Sequence, residues 1–167
     1  MNSELVKLLN KAFDLSEIGE YEGAIKCYDK VLKEDPKNVR AMVDKGVTLQ
    51  NLNMPEKSII LYDQALQISP NNLDVLINKG SALHSLGKYD DAISLYDAAL
   101  VIDKKCAIAL AYKGLSLGEL DKVEDALTYF KKALEIDQEY DLALLSKKMA
   151  QDILKSKMKE LGKSKIQ

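Results

Sequence analysis

The sequence predicts an all-α protein, a stack of antiparallel helix pairs, and three observations carry that prediction. A 34-residue unit recurs, reading "KGVTLQNLNMPEKSIILYDQAL" at 45–66, "KGSALHSLGKYDDAISLYDAAL" at 79–100 and "KGLSLGELDKVEDALTYFKKAL" at 113–134. Apolar residues within each copy recur at helical spacing in two separate runs. A turn signal divides the runs in every copy, at Gly19, Asn53, Gly87 and Asp121. A hairpin of two short helices cannot bury both its apolar faces alone, so consecutive copies must stack into one core.

Tracing the period backwards gives four units, Leu5–Asn38, Val39–Asn72, Leu73–Cys106 and Ala107–Tyr140. In the first helix of each, the stripes are Leu8, Leu15, Ile18; Met42, Leu49, Leu52; Leu76, Leu83, Leu86; and Leu110, Leu117, Leu120. Steps of seven and three set each stripe on one helical face. In the second helix, Ile25, Tyr28 and Leu32 are matched by Ile59, Tyr62 and Leu66, then Ile93, Tyr96 and Leu100, then Leu127, Phe130 and Leu134. Each helix of about 14 residues spans roughly 20 Å. Glycine or asparagine at the turn takes the left-handed conformation that ends a helix; Asp121 does so less readily. Pro55 stands where a second helix opens, and Pro36 and Pro70 close the first two units. Ala12, Gly46, Gly80 and Gly114 fall mid-helix, where a glycine costs about 0.5–1 kcal/mol relative to alanine. That cost predicts a close approach of the two helix backbones.

The period and the order of small and large residues resemble the tetratricopeptide repeat (TPR) family, over residues 5–140. The resemblance implies an α-α superhelix, a right-handed solenoid with a concave inner groove that binds peptides or proteins. The chain departs from the family pattern in having Leu8, Met42, Leu76 and Leu110 where an aromatic is frequent. Lys11, Lys45, Lys79 and Lys113 stand where leucine is frequent, and Lys104 and Gln138 replace the closing proline. Such lysines either lay their stems along apolar neighbours with the charge kept wet, or form a ladder for a ligand. After Tyr140 the segment 141–161 reads as a single capping helix with a polar outer face, followed by a frayed lysine-rich tail at 162–167. Residues 1–161 are thus expected to form a single domain.

Helical geometry places the groove on the side of each first helix opposite its buried stripe. The expected peptide-binding residues are Leu9, Asn10, Phe13, Arg40, Val43, Asp44, Val47, Ile77, Asn78, His84, Ala111, Tyr112 and Leu115. Leu9, Phe13, Val43, Val47, Ile77, Ala111 and Leu115 would form an exposed apolar strip broken only by Ser81, the kind of strip that marks an interaction site. Asn10, Asp44, Asn78 and Tyr112 would form a polar rail beside it. The alternative is that superhelical twist or the chain's own tail covers part of the strip. The resemblance also allows a test for the TPR subclass that clamps a C-terminal carboxylate of chaperone peptides. Of the clamp positions only Asn78 matches, in one frame, while Asp44 and Asp74 occupy others. A carboxylate-clamp adaptor is therefore not expected, and a neutral or amphipathic helical ligand is.

Other classes find little support. A net charge of −2 and a groove with Arg40 as its only permanent cation argue against nucleic acid. His84 is the single histidine, which rules out an HExxH zinc motif, and no catalytic constellation, metal site or cofactor motif is present. No apolar run is long enough to span a membrane. Cys27 and Cys106 match no paired spacing, and free thiols imply a reducing, cytoplasmic setting. The chain is thus expected to be no enzyme but a scaffold or adaptor for a protein or peptide partner. The second reading is self-assembly into a homo-oligomer through the C-terminal helix, where Leu145, Met149, Ile153, Leu154 and Met158 form an apolar face.

Overall fold

The structure is a computed structural model that describes residues 3–164, with side chains placed through Ser156. Among the described residues there are nine helices and no strand. They are α1 (Ser3–Glu17), α2 (Tyr21–Glu34), α3 (Val39–Asn51), α4 (Pro55–Ile68), α5 (Leu73–Ser85), α6 (Tyr89–Ile102), α7 (Ala107–Glu119), α8 (Val123–Ile136) and α9 (Asp141–Ser164). Every expected helix of the four repeats is present. The ninth continues three residues beyond the expected end at 161, and the rest of the expected tail, 165–167, lies outside the described residues.

The turns form as the residue types dictate. Gly19, Asn53 and Asp121 have φ of +82°, +57° and +58°. At each, the next amide reaches back over the helix end: Glu20 N donates to Leu15 O at 2.8 Å, Met54 N to Leu49 O at 2.9 Å, and Lys122 N to Leu117 O at 2.9 Å. This six-to-one bond satisfies a carbonyl that the helix leaves open. Asp121 takes the left-handed conformation in full despite its side chain. At the opposite junctions, Asn38 and Asn72 cap α3 and α5, accepting from Ala41 N at 2.9 Å and Val75 N at 3.1 Å. Cys106 occupies the same place before α7 with nearly the same backbone but no side-chain cap bond.

The chain divides into two compact units, Met1–Leu86 and Gly87–Gln167, with the boundary at the turn inside the third repeat. In the first unit, Leu9, Ala12, Ala24, Tyr28 and Val31 share a buried cluster with Ala41. Met42, Tyr62 and Ala65 share another with Val75. In the second unit, Leu110, Ala111 and Ala133 cluster with Ala143, and Leu117, Val123, Ala126 and Phe130 with Ala150. Each cluster joins one helix pair to the first helix of the next. That continuity is the physical reason that no pair stands alone.

At Gly46 and Gly114 the mid-helix glycine has a different cause from the one expected. A Cβ at Gly46 would lie 2.5 Å from Cε1 of Tyr62, and one at Gly114 would lie 2.6 Å from Cε1 of Phe130. What fills the space is the ring of the second helix's aromatic, not its backbone.

Candidate functional site

The face expected to bind a ligand is only partly open. Phe13 is 45% exposed, and Asn10 and Arg40 are also exposed. Val43, Asp44, Val47, Asn78, His84, Tyr112 and Leu115 are half-buried. Leu9 and Ala111 are fully buried and Ile77 is 8% exposed, so these three cannot form the floor of an open strip. The reason lies in the neighbouring repeat. Leu9 shares its cluster with Ala41, and Ala111 shares its cluster with Ala143, each 32 residues further on. The fifth residue of a first helix is thus sealed by the third residue of the next first helix. What remains open in the first unit is narrower: Phe13 on α1 and Val47 on α3, one repeat apart.

A polar cluster accompanies this apolar pair. Arg40 Nε approaches Asp44 Oδ2 to 3.4 Å across one helical turn. The contact is within ion-pair distance but not aligned as a hydrogen bond. Asp44 Oδ2 is buried and has no hydrogen-bond partner among the described residues. Burial raises the Asp44 pKa above its ordinary value, with Arg40 opposing the shift. Gln50, six residues further along α3, donates from Nε2 to the Tyr62 hydroxyl at 2.8 Å and to Asn78 O at 3.4 Å. Thr48 donates to Asp44 O at 2.8 Å and meets Ser16 Oγ at 3.0 Å, tying α3 to α1. Asp44 therefore sits on a braced scaffold, ion-paired to Arg40 but with Oδ2 short of a well-aligned hydrogen bond.

The repeated lysines lie along the helix pairs. Lys45 meets Asp29 at 2.5 Å, Lys79 meets Asp63 at 2.6 Å, and Lys113 meets Asp97 at 2.5 Å. Each ties a first helix to the second helix of the preceding pair, which favours their structural role over a ligand ladder.

In the second unit a cavity of about 170 Å³ opens between α7, α8 and α9, lined by Leu115, Gly118, Ala126, Phe130, Met149 and Ile153. Its origin is a double change within the repeat. Where the second repeat has Gln50 bonded to Tyr62, the fourth has Gly118 and Phe130, which remove the amide plug and the hydroxyl together. The two columns of the repeat, compared side by side, carry that signal. Tyr112 stacks on Tyr96 with ring centroids 5.9 Å apart.

Among the described residues no group of histidine, cysteine and carboxylate side chains converges to hold a metal ion. None of the described helices is long and apolar enough to cross a membrane.

The comparisons with known proteins agree with this architecture. The family model for the tetratricopeptide repeat matches residues 9–72 and 77–141. No curated protein sequence shows significant similarity to the chain. Among solved structures, a TPR protein of Thermus thermophilus, TTC0263, superposes with a TM-score of 0.79 at 18% identity, over 88% of this chain and 82% of its own. MamA from Desulfovibrio magneticus gives a TM-score of 0.75 at 20% identity, over 98% of both chains. A tetratricopeptide repeat protein of Parabacteroides merdae gives 0.76 at 21% identity, over 93% of this chain and 62% of its own. At such identities the likeness is one of fold. With the repeat model covering most of its length and every helix pair in place, the chain belongs to the tetratricopeptide repeat family.

Proposed function

We propose that this chain is a scaffold or adaptor that takes a short peptide, or one amphipathic helix of a partner protein, against the α1–α3 face of its first unit. The TPR fold is in general a protein–protein interaction module, and the reading here concerns where and what this one binds. The observation that carries it is the exposed Phe13 accompanied by Val47 and by a buried Asp44 oxygen without a hydrogen-bond partner. Phe13 and Val47 offer apolar contact, and Asp44 accepts a hydrogen bond from a ligand amide or a basic side chain. An unmet buried acceptor costs stability. A ligand donor that meets it recovers that cost on binding, which favours an oriented ligand over a greasy one.

The chemistry of the face excludes some ligands. Asp44 and Asp74 would repel a terminal carboxylate, so a carboxylate-clamp role does not fit. As TPR proteins in general are scaffolds, we read the chain as a binding protein and not an enzyme. Both cysteines are free and buried, which suits a reducing cytoplasmic setting.

Selection of a displayed peptide library on the pure chain tests this reading. Peptides enriched on the wild type should lose at least about 100-fold in affinity for a Phe13→Glu, Val47→Glu double variant, by loss of the central apolar anchors. Ile77 is unsuitable for such a variant because it is buried. Equal affinity for the folded double variant would place the site elsewhere.

A further inference from the structure

On α9 the residues that correspond to Leu9 and Phe13 are Leu145 and Met149, and they are 61% and 58% exposed. With Ile153, 44% exposed, they form a stripe at four-residue spacing along one line of the helix. In α1, α3 and α7 the fifth-position residue is covered by the next first helix or half-buried. On α9 it has no cover among the described residues.

We propose that this stripe is the interface of a homodimer, with α9 packed antiparallel against α9 of a second copy about a twofold axis at Met149. Two observations select that occupant. The stripe is symmetric about Met149, so reversal sets Leu145 against Ile153 of the second copy and Met149 against its own counterpart. The charges are also self-complementary in that one direction. Asp141, Lys148, Asp152 and Lys155 are exposed along the same edge of the stripe. With a rise of 1.5 Å per residue, reversal about Met149 brings Lys148 within about 3 Å, along the axis, of Asp152 of the second copy. It brings Asp141 equally near Lys155 of that copy. By the twofold each pairing occurs twice. A parallel arrangement about a twofold would carry these edges to opposite sides of the seam and leave all four charges without a partner across it.

Continuation of the stack onto α1 of another copy is disfavoured by the same register. The residue that seals the preceding first helix is Ala41, Val75 or Ala143 in the later repeats, but Lys7 in α1, where it is exposed. A head-to-tail contact would press that ammonium onto Leu145. The dimer involves α9 alone and does not depend on ligand binding at α1 and α3.

Sedimentation equilibrium of the full chain tests the proposal. The wild type should show reversible dimerisation, and Met149→Glu should raise the dissociation constant by at least about 100-fold. Lys148→Asp and Asp152→Lys, each alone, should be monomeric through like-charge contact, and an equimolar mixture of the two should form a heterodimer. Far-ultraviolet circular dichroism checks that each variant keeps its helices. A wild type that stays monomeric at the highest attainable concentration overturns the proposal. So does a dimer insensitive to Met149→Glu, and failure of the mixture to associate overturns the antiparallel arrangement. Protection of α9 by a library-selected peptide in a monomeric wild type would assign the stripe to a partner instead.

Discussion

Lys113 donates from Nζ to Asp97 Oδ1 at 2.5 Å, a bond across sixteen residues that joins α7 to α6. Burial works against the lysine's charge. Hydrogen bonds to Asp97 and to Tyr129, together with the charge of Asp97, more than offset it, so the pKa lies above its ordinary 10.5; the Tyr129 ring centroid lies 4.5 Å from the ammonium. A lysine pKa raised in the folded state stabilises fully below 10.5, and that contribution fades only as pH rises through the folded value. The tie is therefore intact across the neutral range.

The same register predicts where the tie is missing. Sixteen residues before Lys147, the counterpart of Lys113 on α9, stands Lys131 on α8. Lys131→Asp should supply the absent acid and stabilise the protein by about 0.5–1 kcal/mol, the scale of a surface pair. Chemical denaturation checks this; a variant less stable than the wild type would show that the register breaks at α9.

Cys106 offers a second gain. Its backbone, φ −74° and ψ 95°, nearly equals that of Asn38, φ −73° and ψ 93°, and both residues are buried to the same degree. Asn38 caps α3 and Cys106 leaves α7 without a side-chain cap. Cys106→Asn should therefore stabilise by about 1 kcal/mol, measured by urea unfolding.

Asp44 should behave in the opposite way to a salt-bridged carboxylate. Its pKa is raised chiefly by burial, so the native state holds the proton more tightly than the unfolded chain, whose value is near 3.8. As pH rises from that value through the folded pKa, stability falls, and the penalty is complete above it. Asp44→Asn should raise the melting temperature at neutral pH, with the gain disappearing at pH values below the unfolded pKa. It should weaken peptide capture at the same time. A variant no more stable at neutral pH would show that Arg40 already offsets the burial.

The fold was legible because its signals are local. Turn residues at Gly19, Asn53, Gly87 and Asp121, and stripes at seven-and-three spacing, act within one helix pair. The binding face was legible only in part, because its exposure depends on contacts between pairs. A helical wheel for α1 shows which side faces α2 and leaves Leu9 opposite, yet Leu9 is sealed in the cluster that contains Ala41. The cause of the glycine at Gly46 is hidden for a similar reason. The sequence shows that a side chain is excluded, but not that the ring of Tyr62 excludes it. The lysine ties needed one further step, the alignment of the lysine column with the column of Asp29, Asp63 and Asp97.

Amide hydrogen exchange on the complex with a library-selected peptide tests the central claim most directly. Protection should rise on α1 around Phe13 and on α3 from Asp44 to Gln50, with α2 and α4 unchanged. Protection confined to α2 and α4, the second helices of the two pairs, would contradict the account.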